Sequence, residues 1–221
     1  GWIPASAFTA ESRGKGHPNV QWQAHGDTIQ KVGGHNGDFL YLPAPLTGNF
    51  EIMCDVTSYD YRETSLAYGG QYVQHYWTRK DVVIGTVRHF DIVPLATRMT
   101  EPDPWISSRI KVQDGVCTHY LNGREMWQRT LPVGDSPWIA LRAFRLSRGS
   151  FRNLAILGAP VVPKAINLSV SSKLDGWYSY FDESVADPND ENSWQLTTSE
   201  NALVMRHHRR PELAGMVTES L

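Results

Sequence analysis

The sequence predicts an all-β protein, a two-sheet antiparallel β-sandwich followed by a partial second β unit. Apolar and polar residues alternate along many short segments, as in strands that bury one face. Two pairs of turn residues, Asp114-Gly115 and Asn122-Gly123, have the composition of two-residue hairpin turns. Helical periodicity is nearly absent. Short strands separated by frequent turns are typical of sandwiches and barrels.

The segment 49–59 shows the alternation most clearly. One predicted face is apolar and carries Phe50, Ile52, Cys54 and Val56. The other face carries Glu51, Met53 and Asp55. Because successive side chains of a strand point to opposite faces, the first set is predicted to face a core.

A meander of three strands is predicted over residues 105–131. In its first strand Ile106, Ile110 and Val112 share a face. The two Gly-containing turns then connect the strands, since glycine adopts a positive φ without steric cost. Two further strands are predicted in WIALRAF (138–144) and SFRNLAILG (150–158).

Prolines predict a boundary between two units. Pro160 and Pro163 follow the last of these strands, and a proline cannot donate a ladder hydrogen bond. We therefore expect a sandwich module in residues 1–163 and a second unit in residues 164–221.

The second unit repeats the opening of the first. Each copy has a Gly-Trp pair and then a Trp-containing strand: Gly1-Trp2 with Trp22, and Gly176-Trp177 with Trp194. A repeat of this length predicts a second module. We expect residues 164–221 to be its truncated start, or a packing extension of the first module, within a segment of a longer multidomain protein. The alternative is that both segments are edge elements of one sandwich.

Composition limits the classes of function. The chain has 221 residues, a net charge of −2 and no apolar run long enough to span a membrane, so neither nucleic acid nor a membrane span is expected. The content of 8 Trp and 9 Tyr suits either a core or the binding of flat ligands. Cys54 and Cys117 are predicted to be buried free thiols, although a disulfide between them stays open.

A family resemblance rests on four segments. They are VQDGVCTHYLNGREMWQRTLP (112–132), PWIALRA (137–143), SFRNLAILG (150–158) and DFLYLPAPLTGNFEIMCDV (38–56). Together they resemble concanavalin A-like or laminin G-like jelly rolls over roughly residues 20–160. They are also similar to modules that recur in large secreted or surface proteins of planctomycete-type bacteria. The resemblance implies two large sheets, one bent into a concave face that often binds glycans.

The candidate ligand site lies mainly in the aromatic and polar segment 58–80. Sugar rings present C–H faces that stack on aromatic rings, and hydroxyl groups that need polar partners. The predicted ligand-binding residues are Tyr61, Arg62, Tyr68, Tyr72, His75, Tyr76, Trp77, Arg79, Arg88 and His89. Together with Arg142 and Arg145, the cations would suit an acidic polysaccharide. The alternative is that the aromatic residues fill the space between the sheets.

No catalytic motif is recognised. Jelly-roll glycosidases need close carboxylates, whereas Glu51 and Asp55 would be about 13 Å apart along a strand. Neither Gly-x-Ser-x-Gly nor a zinc-ligand spacing occurs. The active site of a polysaccharide lyase could be assembled from Tyr76, His75, Gln74 and Arg79.

The sequence therefore predicts a non-catalytic glycan-binding module of a larger extracytoplasmic protein, whose partners are a glycan, acidic or neutral, and neighbouring modules. Two alternatives stay open. They are a polysaccharide lyase or glycoside hydrolase with its site on the same concave face, and a purely structural module of a surface or assembly protein. No cofactor is expected, although the acidic turn 187–192 could hold a structural calcium.

Overall fold

The computed structural model describes residues 1–34 except 7–19, then 37–57, 64–76, 80–86, 90–99, 105–131, 137–144 and 149–164. For residues 5, 6, 177–179, 194–199, 202–207 and 216–218 it describes the backbone alone. Every regular element in these ranges is a β-strand, and every strand pairing is antiparallel.

Two seven-stranded sheets make up the sandwich in the described part of the chain. The first sheet has the order β1 (Ile3–Ser6), β4 (Asp38–Tyr41), β13 (Ile139–Ala143), β6 (Thr64–Tyr68), β7 (Gln71–His75), β8 (Asp81–Thr86) and β9 (Phe90–Pro94). The second has the order β12 (Arg124–Thr130), β11 (Val116–Leu121), β10 (Trp105–Gln113), β5 (Thr47–Thr57), β14 (Ser150–Val161), β3 (Thr28–Gly33) and β2 (Gln21–His25). The predicted fold class is confirmed.

The main core lies between the two sheets. The predicted apolar faces of β5 and β10 are buried there, namely Phe50, Ile52, Cys54, Val56, Ile106, Ile110 and Val112. From the first sheet come, among others, Leu40, Leu66, Val73 and Leu141. The alternation along β5 and β10 thus predicted the core-facing side of both strands correctly.

The predicted hairpin turns are also confirmed. Asp114 and Gly115 have φ of 51° and 77°, and Asn122 and Gly123 have 48° and 74°. Positive φ at both central residues is the type I′ geometry that suits the twist of paired strands. Gly69 and Gly70, at 61° and 71°, form a third such turn between β6 and β7.

A bulge in β14 fixes that strand against β5. Asn153 has a φ of 55°, and its side-chain amide donates a hydrogen bond to Asp55 at 2.8 Å. Arg152 also contacts Asp55 at 3.3 Å and lies 4.2 Å from the centre of the Trp105 ring. The contacts of Arg152 and Asn153 with Asp55 therefore set the register between β14 and β5.

A buried ion pair connects the two sheets at one end. Lys31 of β3 and Asp38 of β4 are 2.5 Å apart, and both side chains are fully buried. Burial lowers the pKa of Lys31 below its ordinary value, and the Asp38 carboxylate opposes this effect. A Cβ at Gly34, which has a φ of 133°, would collide with Asp38, so glycine is required beside the pair.

Both cysteines are buried and neither forms a disulfide, as predicted. The Cys54 thiol donates a hydrogen bond to the Arg152 carbonyl at 3.3 Å. Burial, and then the nearby Asp55 charge, raise the pKa of Cys54 to about 12. The thiolate is therefore disfavoured at neutral pH, and with it any nucleophilic role.

The backbone of the second unit repeats the pairing of the first four strands. Its strands are β15 (Trp177–Ser179), β16 (Trp194–Ser199), β17 (Ala202–His207) and β18 (Met216–Thr218). β15 pairs with β18 as β1 does with β4, and β16 pairs with β17 as β2 does with β3. The boundary near residue 163 stays a prediction.

Asp38→Asn should destabilise the protein strongly, because it leaves the Lys31 ammonium buried without its counter-charge. We expect a loss of about 3–5 kcal/mol in the free energy of unfolding, measured by urea denaturation. The matched control is Glu51→Gln, which breaks the partly exposed pair with Arg109 at 3.6 Å and should cost under about 1 kcal/mol. Equal losses in the two variants would contradict the structural role of the buried pair.

A chain cut after Pro163 should keep the folded sandwich, because the tail strands pair only with one another in the described residues. The measurement is circular dichroism with a thermal melt of the shortened and full-length chains. A cooperative melt near that of the full-length chain is expected. An unfolded product would show that residues 164–221 complete the first core.

Candidate functional site

The first sheet buries side chains on both of its faces. One face contacts the second sheet, and we call the opposite one the outer face. The outer face carries its own apolar cluster of Phe39, Ala67, Tyr72, Val83 and Ala140, with Tyr41 and Tyr76 packed at its margin. This cluster is separate from the core between the sheets. It is therefore a second apolar layer, built by the side chains that alternate along the strands with those facing the second sheet.

Strand register arranges part of the outer face as a row of rings separated by small residues. The row crosses six strands in the order Tyr41, Ala140, Ala67, Tyr72, Gly85 and Phe90. Neighbouring strands are about 4.8 Å apart, so the rings stand roughly 10 to 14 Å from one another. Because the two alanines and the glycine have small side chains or none, the surface is lower between the rings.

Arg142 lies beside this row. Its guanidinium carbon is 3.9 Å from the centre of the Tyr72 ring and 5.2 Å from that of Phe144. Its Nη1 donates a hydrogen bond to Gln74 Oε1. Only 4% of Arg142 is exposed. The cation is thus held in one orientation by stacking and by a hydrogen bond.

The outer face is buried at its centre and open at its margin. Tyr72 and Gln74 are 1% and 2% exposed. Tyr41, Tyr76 and Phe144 are half-buried. Phe90 and Ile92 on the edge strand are about half exposed, and Phe90 meets Phe144 edge-on with the ring centres 6.5 Å apart. A ligand would therefore meet the marginal rings first.

Tyr72 is not suited to act as a base. Burial raises the pKa of its phenol above the ordinary value, and the Arg142 charge opposes this only in part. The phenol therefore keeps its proton at neutral pH. Its role is that of a stacking partner for the guanidinium.

The structure divides the predicted site residues between two faces. Tyr72 and Tyr76 belong to the outer face. Tyr68 does not: it packs edge-on against Phe50 in the main core, and its hydroxyl donates a hydrogen bond to the Leu46 carbonyl at 2.7 Å. His75, 3% exposed, lies on the same side of β7 as Val73, toward the second sheet. For these two, the alternative of filling the space between the sheets is the one observed.

The other predicted residues lie outside the described part of the chain. They are Tyr61, Arg62, Trp77, Arg79, Arg88 and His89, together with Arg145 of the second polar group. Their participation in a site stays a prediction. The sequence did not pick out Phe39, Tyr41, Phe90 or Phe144, because their proximity to Tyr72 depends on the pairing of distant strands.

A Cys-His contact that the sequence did not reveal lies in the main core. Cys117 Sγ is 3.6 Å from His119 Nε2, because residues two apart on β11 share a face. The two residues are 0% and 3% exposed. Burial, and then the Arg129 charge, lower the pKa of His119 to about 3. The imidazole is therefore neutral, and the pair lies in the core between the two sheets.

The described residues contain neither a candidate metal-ligand cluster nor a candidate membrane-spanning helix. No group of three or more His, Cys, Asp or Glu side chains there is placed to hold a metal ion. No helix in the same ranges has the length and apolar character needed to cross a bilayer.

Sequence comparison gives one family match. A model described as a protein of unknown function, DUF1581, matches residues 109–196, which is less than half of the chain. The match begins in β10 and extends into β16. No curated protein matches the sequence.

Structure comparison finds β-sandwich proteins. The carbohydrate-binding module CBM66 from Bacillus subtilis has a TM-score of 0.50 at 11% identity, over 63% of this chain and 92% of that one. A galectin-like protein of unknown function from the same organism has a TM-score of 0.44 at 9% identity, over 71% and 97%. An alginate lyase from Pseudomonas aeruginosa has 0.41 at 11%, over 72% and 98%. At these identities the similarity to CBM66 is one of fold.

The buried His119 should make the free energy of unfolding fall as the pH is lowered below 6.5. Its pKa is about 3 in the fold against an ordinary value of 6.5, so between these values the unfolded chain binds a proton that the folded chain excludes. The contribution is complete above pH 6.5 and declines by about 1.4 kcal/mol per unit below it. His119→Gln should therefore flatten the profile of unfolding free energy between pH 6.5 and 4. His25→Gln, at an exposed position, should not. Parallel wild-type and His119→Gln profiles would contradict the assignment.

Proposed function

We propose that this protein is a non-catalytic glycan-binding β-sandwich module whose ligand lies over the outer face of the first sheet. The observation that carries the proposal is the arrangement of Arg142 over Tyr72, beside a row of rings separated by small residues. The half-exposed rings of Tyr41, Tyr76 and Phe90 would stack on sugar units. Arg142 would receive an acidic group of the glycan.

The chemistry of the outer face fits an acidic sugar. The planar guanidinium matches a carboxylate or sulfate through two parallel hydrogen bonds. Because Arg142 is almost buried and is held by Gln74, little conformational entropy remains to be lost on binding. Pyranose C–H faces and aromatic rings can bury apolar surface against each other around this anchor.

The comparison with CBM66 supports the proposal by analogy of fold, since that protein is named as a carbohydrate-binding module. The proposal includes kinship to concanavalin A-like or laminin G-like modules and to the repeated modules of planctomycete-type proteins. It also includes an extracytoplasmic location within a larger protein, where neighbouring modules are partners.

The geometry favours binding over catalysis. A lyase site drawn from His75, Gln74 and Tyr76 would need all three on one surface, but His75 faces the second sheet. The carboxylates of Glu51 and Asp55 are paired with Arg109 and Arg152 on the second sheet. Among the described residues, no pair of carboxylates faces the row of rings.

Arg142→Lys should weaken binding to acidic oligosaccharides, because lysine keeps the charge but loses the fork and the stacking on Tyr72. Isothermal titration with hexamers of alginate and polygalacturonate would measure the affinity. We expect a loss of about 10- to 100-fold, or about 1–3 kcal/mol, and a comparable loss for Tyr76→Ala. The matched control is Arg109→Lys, which changes a similar pair over Tyr120 at 4.2 Å on the second sheet.

Tyr72 itself needs a different substitution. It is 1% exposed, so alanine would open a cavity and destabilise the fold, whereas Tyr72→Phe preserves the ring. Folded Arg142→Lys and Tyr76→Ala variants that bind acidic oligosaccharides like the wild type would contradict the proposal. Absence of binding to every acidic glycan would favour the purely structural module. Appearance of unsaturated or reducing ends would favour the lyase or hydrolase.

A further inference from the structure

A cleft opens on the side of the sandwich between the edge strands β1 and β2, which belong to different sheets. It has a volume of about 620 Å³, and its lining includes Trp2, Gln21, Trp22 and Gln23. This volume lies within the range of small-molecule sites. The cleft shares no residue with the row of rings on the outer face.

Two indoles supply the aromatic surface of the cleft. Trp2 and Trp22 are both partly buried and pack against the main core. Trp22 is anchored at its inner side by Phe151, whose ring centre is 6.0 Å away. The two tryptophans come from opposite sheets, so a ring-shaped ligand could contact both.

The Trp22 indole N–H is an unused donor. Its Nε1 is buried and has no hydrogen-bond partner in the described structure. A buried donor without an acceptor destabilises the fold, because the donor has lost its hydrogen bond to water. An oxygen of a bound molecule would restore that hydrogen bond.

Among the described residues that line the cleft, the polar side chains are uncharged. Gln21 and Gln23 contribute amides, and none of these described lining residues is Asp, Glu, Lys, Arg or His. Amides can donate to and accept from hydroxyl groups, as an uncharged sugar requires. This contrasts with the outer face, where Arg142 is the central polar group.

We propose that the cleft is a second binding site, specific for an uncharged sugar unit of a polysaccharide. Trp2 and Trp22 would stack on its C–H faces, the Trp22 N–H would donate to a ring or hydroxyl oxygen, and Gln21 would contact a further hydroxyl. The inference does not rest on the outer-face site, because the two surfaces share no residue and are suited to different sugars.

The same tryptophan positions recur in the second unit. Trp177 begins β15 and Trp194 begins β16, and these strands pair as β1 and β2 do. The two tryptophans are therefore part of the sequence pattern that both segments share.

The test uses the full chain and four neutral probes: cellohexaose, mannohexaose, laminarihexaose and xylohexaose. Isothermal titration should detect binding of at least one of them. Trp2→Ala should weaken that binding at least about 10-fold, and Trp22→Phe, which keeps a ring but removes the N–H, about 3- to 10-fold. Trp105→Ala, on the outer side of the second sheet, is the matched control and should bind like the wild type. Arg109→Lys, which lies on the second sheet beside Tyr120, should likewise leave neutral-sugar binding unchanged.

A second readout does not depend on a variant that may lose its fold. The indole N–H resonance of Trp22, assigned by comparison with Trp22→Phe, should shift when the neutral hexasaccharide is added. The proposal is overturned if none of the four probes binds. It is also overturned if a probe binds but neither the Trp22 resonance nor the affinity of a folded Trp2→Ala variant changes.

Discussion

Burial of the first sheet on both faces is the constraint on which the account depends. In β6 and β13 every residue is buried, so alternate side chains serve two different layers. Leu66 and Leu141 fill the core between the sheets, while Ala67, Ala140 and Arg142 build the outer face. Placing a cation in the second layer is favourable only where an aromatic face and an amide receive it, as Tyr72 and Gln74 do.

Three local devices keep this arrangement in register. The Gly69-Gly70 turn sets β6 against β7, and so places Ala67 opposite Tyr72. The bulge at Asn153 fixes β14 on β5 in the second sheet. The Lys31–Asp38 pair ties the sheets together next to β13, whose Ala143 lies opposite Asp38. A shift of one residue in β7 would move Tyr72 and Gln74 into the main core.

The sequence predicts what depends on local order along the chain. Alternation in β5 and β10, the Asp-Gly and Asn-Gly turns and the buried thiols were all predicted, because each depends on residues within one or two strands. Only some residues of the outer face were picked out from the sequence, because its side chains come from β4, β13, β7 and β9, which are distant along the chain. Tyr68 and Tyr72 are separated by an even number of residues, which within one strand would place both side chains on the same face. A two-residue turn lies between them, however, and Tyr68 pairs with Gln71 across it, so Tyr72 lies on the opposite face. Trp2 and Trp22 were recognised as repeat markers. That both line one cleft follows from the pairing of β1 and β2 with strands of different sheets.

The central claim is that acidic glycan binds the outer face of the first sheet. Chemical-shift mapping of the isotope-labelled chain during titration with an alginate hexamer tests it most directly. The account predicts that the largest shifts fall on Tyr41, Tyr76 and Ile92 and on the guanidinium N–H resonances of Arg142. Shifts confined to the outer side of the second sheet, around Arg109 and Tyr120, would contradict it.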